Sequence, residues 1–211
     1  STSRGTKLFT VMGKVAEQGF VTRRISVGSQ GGVVAARRGE CDLAPVHLLD
    51  PASGTYNEHL LAPGLSLVRG WERMQGVVYR TGDRRFEGRK AADAVAGAVA
   101  DPACIMVNRN TGAGTRILID RLLGGARPDG YGNQPRSHNA VAAAVAQGRA
   151  DWGVAIRSVA SLYGLGFLPL APERYDFLLV EARAKREAVQ AFLAALRDDA
   201  VRAKIAALGM R

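Results

Sequence analysis

The chain has 211 residues, 47% of them hydrophobic and 23% charged, a globular composition with enough apolar residues for a real core. Every apolar run falls short of the roughly 18 residues that cross a bilayer, and Ser1-Thr2-Ser3-Arg4-Gly5 has no apolar stretch behind a basic start, so neither a membrane span nor an intact signal peptide is expected. The net charge of +10 is dispersed in pairs such as Arg23-Arg24, Arg37-Arg38 and Arg84-Arg85 without interleaved aromatics, which argues for a solvated basic surface and against a nucleic-acid groove. A chain that begins at Ser is expected to be cut from something longer.

In chain order the pattern predicts a strand over 25–27, a helix over 31–38 and a strand over 43–49. Strands over 65–68 and 76–79 lie on either side of Trp71. A helix over 91–96, a strand over 105–107, helices over 114–123 and 139–147 and a strand over 152–156 follow. The chain closes with strands over 167–170 and 177–180 and helices over 186–196 and 200–208. Short apolar strands alternating with alanine-rich helices point to an α/β architecture with a mostly parallel sheet.

A weak internal repeat has an offset of 109 residues. Residues 33–44 align with 142–153, each reading as a small-residue helix, a Gly suited to a left-handed helix end, an Asp, and a buried strand. A polar pair precedes each copy, Ser29-Gln30 and Ser137-His138. Two similar α/β lobes are therefore expected, with a ligand cleft between them, because the loops at strand ends and the helix N-termini there offer unpaired N–H groups.

The segment Val107-Asn108-Arg109-Asn110-Thr111-Gly112-Ala113-Gly114-Thr115-Arg116 reads as a strand, a glycine-rich turn and a helix start. Gly114, Thr115 and the first helical amides can donate to an anion, although a tight strand-to-helix turn explains the same residues. It is not a Walker A loop or a dinucleotide fingerprint, since it lacks the Lys and the third Gly. Ser29 stands ahead of a helix, His47 ends a strand, His138 and Asn139 start a helix, and Arg157 follows a strand; each can face a ligand or serve as an ordinary cap, core histidine or surface pair. Cys41 and Cys104 lack metal-site spacing and read as buried thiols, which favours a reducing compartment. There is no GxSxG elbow, no HExxH and no evident carboxylate pair, so a binding protein is expected over an enzyme, with no cofactor or metal.

Several strings occur in a familiar order: Gly28-Ser29-Gln30-Gly31-Gly32, Arg38-Gly39-Glu40-Cys41-Asp42, His47-Leu48-Leu49-Asp50-Pro51, Gly54-Thr55-Tyr56-Asn57, Arg73-Met74-Gln75-Gly76, Asn108-Arg109, Gly112-Ala113-Gly114-Thr115-Arg116, residues 138–153 and Glu173-Arg174-Tyr175-Asp176. Over nearly the whole chain this resembles the periplasmic-binding-protein-like, or LysR-substrate-binding-like, domain family. That family is fused to helix-turn-helix regulators and to molybdopterin-biosynthesis proteins and is related to molybdate- and tungstate-binding proteins.

The resemblance implies a type II periplasmic-binding-protein-like fold, two α/β lobes joined by two crossover strands near 71–79 and 168–177. Lobe one would hold 1–75 with 176–211, and lobe two 76–175. It implies a sensor domain that closes on a small anion, an oxyanion such as molybdate or tungstate with an organic acid as the alternative, in a cytoplasmic transcriptional regulator. DNA would be reached only through a fused helix-turn-helix domain, and a homodimer is the oligomeric expectation. An exported solute-binding protein of an ABC-type uptake transporter, hence periplasmic, and a domain tied to molybdenum-cofactor biosynthesis are the alternatives. The implied ligand contacts are Ser3, Ser29, His47, Arg109, Gly114, Thr115, Arg116, His138, Asn139, Arg157 and Tyr175. Family members carry an apolar strand ahead of the first Ser-containing turn; this chain opens at Ser1-Thr2-Ser3 without one.

Overall fold

The computed structural model describes residues 2–24 and 28–210, with side chains from Leu8 onward; the strand expected at 25–27 lies outside the described residues. The chain divides into two compact units, unit 1 comprising 1–72 with 173–211 and unit 2 comprising 73–172. The paired short strands expected around Trp71 and before Val180 are continuous: β2 (Leu65–Arg80) and β5 (Leu165–Val180) each run 16 residues and belong in part to both units. The sequence pattern breaks there because Arg73, Gln75, Glu173 and Asp176 interrupt the apolar run, yet all four are buried.

No element is expected before residue 25, and the structure has a helix there, α1 (Thr2–Glu17). Its Val11 and Val15, one turn apart, are buried in a core with Trp71, Phe177 and the last two helices, α7 (Glu187–Arg197) and α8 (Asp199–Ala207). Unit 1 also holds α2 (Gly28–Arg37) and β1 (Leu43–Val46), which pairs antiparallel with β5 in the register Leu43↔Leu179 to Val46↔Asp176. Along β5 the side chains alternate: Phe177 enters the core with α1, α7 and α8, whereas Leu178 and Val180 pack with Val33, Ala36, Ala44 and Val46.

Unit 2 contains α3 (Ala91–Ala100), β3 (Met106–Val107), α4 (Gly114–Leu123), α5 (His138–Ala146), β4 (Trp152–Ile156) and a helix not expected from the sequence, α6 (Arg157–Leu162). β4 is buried along its whole length and pairs parallel with β3 and antiparallel with β2. Val77, Tyr79, Met106, Trp152 and Val154 enter one core with α3 and α4; Val78, Val107 and Ala155 enter another with α5 and α6. Helices therefore cover both faces of this sheet, which explains the uninterrupted apolar run of β4.

The expectation of a mostly parallel sheet is corrected: of the pairings described here, β3 with β4 is parallel, while β1 with β5 and β2 with β4 are antiparallel. Each unit takes one half of a long strand, and that half runs against the local strand it pairs with. The 109-residue repeat recurs bond for bond. Gly39 (φ 67°) and Gly148 (φ 74°) are left-handed and donate to Ala36 O at 3.0 Å and Val145 O at 3.1 Å; Glu40 N and Arg149 N each reach 2.9 Å from Ala35 O and Ala144 O. The Asp that follows is held by two arginines in both copies, Asp42 by Arg183 and Arg186, Asp151 by Arg80 and Arg85.

A Cβ at Gly153 would lie 2.7 Å from Val107 Cγ1 and 2.8 Å from Val141 Cγ1, so strand and helix approach closely only because this residue is glycine. Gly153→Ala is expected to cost about 1–3 kcal/mol by overpacking, roughly 2–4 °C in melting temperature per kcal/mol for a chain of this size. An unchanged thermal midpoint by circular dichroism would show that β3 and α5 yield freely.

Burial alone would raise the Asp151 carboxyl, but the Ile105 amide, Arg85 and Arg80 outweigh it and hold it below the ordinary carboxylate range. A group depressed in the folded state contributes stability above its unfolded value and loses it as acid protonates the folded form. The protein is therefore expected to lose stability below about pH 4, and Asp151→Asn, which has no carboxyl to protonate, should flatten that loss. Identical acid-unfolding curves for the two proteins would contradict this.

Candidate functional site

In unit 2, β3 leads into Asn108 and Arg109, both buried. Asn108 N donates to Asn133 O (2.9 Å), Asn108 Nδ2 to Tyr131 O (3.0 Å) and Asn110 N to Pro135 O (3.2 Å), so residues 108–110 are tied to the segment that leads into α5. Ser137 caps α5, its hydroxyl accepting from Ala140 N at 3.0 Å. His138, the first residue of that helix, thereby meets Arg109, whose Nη1 lies 3.1 Å from Nδ1 and 3.4 Å from Nε2. One guanidinium nitrogen that near both ring nitrogens lies against the imidazole, and since arginine only donates, the ring nitrogen it addresses accepts.

The glycine-rich turn brings the start of α4 to the same segment. Gly112 takes φ 86°, and Ala113 at the N-cap supplies no side-chain cap, so although Arg116 N donates to Ala113 O (2.9 Å), the Gly114 and Thr115 amides at the start of α4 keep donor capacity there. Arg116 donates through Nη1 to Arg109 O (3.0 Å) and through Nη2 to Tyr131 Oη (2.7 Å), and its Nε pairs with Asp120 at 2.9 Å. Its charge is thus neutralised locally, and its role is to fix the Arg109 backbone. Thr115 is buried and its Oγ1 donates to Gln75 Oε1 at 2.8 Å, which commits its proton inside the protein. Asn139 is exposed and Ser137 is the cap; Arg157 is exposed at the start of α6, its guanidinium 4.6 Å from the Phe167 ring centre.

In unit 1 the structure joins Ser29, His47 and Tyr175. Ser29 Oγ accepts from His47 N at 3.2 Å, tying the start of α2 to the end of β1. The His47 ring stacks between Tyr175 (4.2 Å) and Tyr56 (5.1 Å), its Nδ1 is 2.8 Å from Arg174 O, and its Nε2 is 2.5 Å from Glu173 Oε1. Because a carbonyl only accepts, Nδ1 carries a proton. Ser3 lies in the first turn of α1, and its side chain is outside the described residues.

Residues absent from the sequence-derived set organise this cluster. Asn57 is fully buried in the left-handed region at φ 66°; its Oδ1 accepts from Leu48 N (2.8 Å) and its Nδ2 donates to Asp176 Oδ2 (2.9 Å). Asp176 also accepts from Gly70 N at 3.1 Å and pairs with Arg174 at 3.5 Å, while Arg174 Nη1 reaches Glu72 at 2.6 Å. The partners stand 106 and 119 residues apart for Gly70 and Asn57, a separation no local pattern reveals. Cys41 and Cys104 are free; Cys104 is buried, which pushes its thiol up to about 11, whereas Cys41 is only half-buried. Among the described residues no group of His, Cys, Asp and Glu could hold a metal ion, and no helix is long and apolar enough to cross a membrane.

Residues 13–197 match the PBP superfamily domain. The chain belongs to that family. It is a ligand-binding domain of the periplasmic-binding-protein-like class, with the type II fold. It is 29% identical over 168 residues to the uncharacterized protein YvgK of Bacillus subtilis (strain 168), covering 73% of this chain and 51% of the relative, so the chain spans about half the length of the curated relative it matches. An ABC-type phosphate transport receptor from Vibrio cholerae is similar with a TM-score of 0.70 at 15% identity, covering 100% of this chain and 96% of that one. The tungstate-binding protein TupA from Desulfovibrio alaskensis G20 aligns at TM-score 0.66 and 16% identity over 92% and 85% of the chains. A LysR substrate-binding domain of a periplasmic protein from Wolinella succinogenes aligns at 0.64 and 14% over 99% and 97%. At these identities the likeness is one of fold.

Asn57→Ala removes the side-chain hydrogen bonds to Leu48 N, Asp176 and Arg174 O and puts a residue less suited to φ 66° in its place, so it should destabilise the protein by about 2–4 kcal/mol. Asn57→Gly keeps the backbone freedom and should lose less. Urea unfolding that ranks glycine as the worse replacement would show the backbone conformation to matter little.

Proposed function

We propose that this domain is the sensor of a cytoplasmic transcriptional regulator and binds a small anion, an oxyanion such as molybdate or tungstate. The observation that carries this reading is the buried Arg109 set against His138 beside the uncapped start of α4, which collects guanidinium, imidazole and backbone N–H donors in one corner of unit 2. Ser29, His47 and Tyr175 in unit 1 are the further proposed contacts, with Ser3, Gly114, Asn139 and Arg157 as the remaining polar residues of the set. Thr115 and Arg116 support the corner from behind, through Gln75 and Asp120.

Two free thiols suit a reducing compartment, which supports the cytoplasmic placement. DNA would be contacted by another domain of the same polypeptide, a reading supported by a relative about twice the matched length. The second reading, a solute-binding component of an uptake transporter, is favoured by the near-complete mutual coverage with the Vibrio cholerae receptor. A binding role without turnover suits both.

Calorimetry with molybdate, tungstate, phosphate, sulfate and small carboxylates at low salt is expected to find at least one that binds, and a ligand at 100 times its Kd should add about 2.7 kcal/mol of stability. Arg109→Gln should weaken that binding by about tenfold or more, as loss of a charge-assisted hydrogen bond does. No heat and no melting shift with any of these anions overturns the reading.

A further inference from the structure

We propose a second ligand site in unit 1, separate from the anion corner and independent of the function proposed above, that takes a small aromatic carboxylate. A cavity of about 320 Å³ opens between the first half of β2 and helix α8. Its lining includes Trp71, Leu196 and Ile205, all buried, with Gly70, Ala203 and Ala206. Small residues line it on both sides: α8 presents alanine at 203 and 206, and on β2 Gly70 allows no side chain, since a Cβ there would lie 2.5 Å from Tyr175 O and 3.0 Å from the Phe177 ring. An apolar cavity of about 150 Å³ already holds one benzene ring, and clefts that take small ligands start near 300 Å³.

The charged group at this cavity is Arg202, exposed on α8. Among the described residues no carboxylate pairs with it. Asp198, one turn earlier, is turned to Val201 N at 3.0 Å and to Lys14 at 3.8 Å. An aromatic wall, aliphatic sides and an unpaired guanidinium are complementary to a flat apolar body that ends in a carboxylate. A neutral aromatic would leave Arg202 unused, and a bare oxyanion would leave the apolar walls uncovered.

The two tryptophans, Trp71 and Trp152, give separate indole N–H signals in a ¹⁵N correlation spectrum, and Trp152 is buried in unit 2. Phenylacetate is expected to shift one of them saturably, in the millimolar range typical of a weak single-ring ligand, while phenylacetamide needs about tenfold more. Arg202→Gln should bring the acid and the amide to the same affinity. Ala206→Leu, at an exposed position, should fill the cavity and abolish the shift while leaving the thermal midpoint in place. The proposal is overturned if neither indole responds to phenylacetate, if acid and amide bind the parent alike, or if Ala206→Leu binds as the parent does. It also falls if the indole shift follows protein concentration in place of ligand, since a second copy of the chain would then cover this face.

Discussion

A carboxylate buried to 1% exposure is stable only if donors replace the water it has lost, and Asp176 obtains them from three separate stretches of chain: Asn57 from the loop after β1, Gly70 from β2 and Arg174 beside it on β5. That requirement fixes the loop 50–57 against β5, holds Asn57 in a conformation few side chains adopt, and sets Tyr56 and Tyr175 on the two faces of His47. The aromatic stack and the His47–Glu173 contact are consequences of the same geometry. Removing one donor would leave the charge less well compensated in the interior of unit 1.

Unit 2 meets a similar demand with a different inventory. Asp151 is clamped by Arg80 and Arg85 and by the Ile105 amide, which ties the start of β4 to the start of β3 and so places the glycine-rich turn. Tyr131, Asp120 and Arg116 then brace the other side of that turn, with the Arg116 guanidinium 4.8 Å from the Tyr131 ring centre. Arg109 is buried on a frame whose own charges are already balanced.

The paired aspartates show how one sequence device is reused. Both follow a Schellman helix end, both lead into a strand (β1 buried at Ala44 and Val46, β4 throughout), and both are held by two arginines, yet the arginines come from different places: 183 and 186 after β5 for Asp42, 80 and 85 at and after the end of β2 for Asp151. The helix end is local and repeats with the sequence. The partners are long-range and do not.

By itself the sequence determined the helices α2 to α5, α7 and α8, the strands β1, β3 and β4, the helix-ending glycines and the internal repeat, because helical period, small-residue composition and left-handed glycine are properties of a few consecutive residues. It also determined the family, through strings in fixed order. It did not show α1, whose sequence opens on the polar run Thr2-Ser3-Arg4 and whose helix docks through Val11 and Val15 against α7 and α8. Nor did it show that β2 and β5 are continuous, since buried polar residues that interrupt their pattern are satisfied by distant partners, Asp176 by Asn57, Glu173 by His47 and Gln75 by Thr115. Tertiary structure alone decided which partners these polar residues take. Thr115 and Arg116 look like contacts in the sequence and are committed to Gln75 and Asp120, while Arg109 and His138 meet because a non-local hydrogen-bond ladder joins residues 108–110 to 131–135. Hydrogen bonds between distant segments are set by how the chain packs, which a linear pattern does not encode.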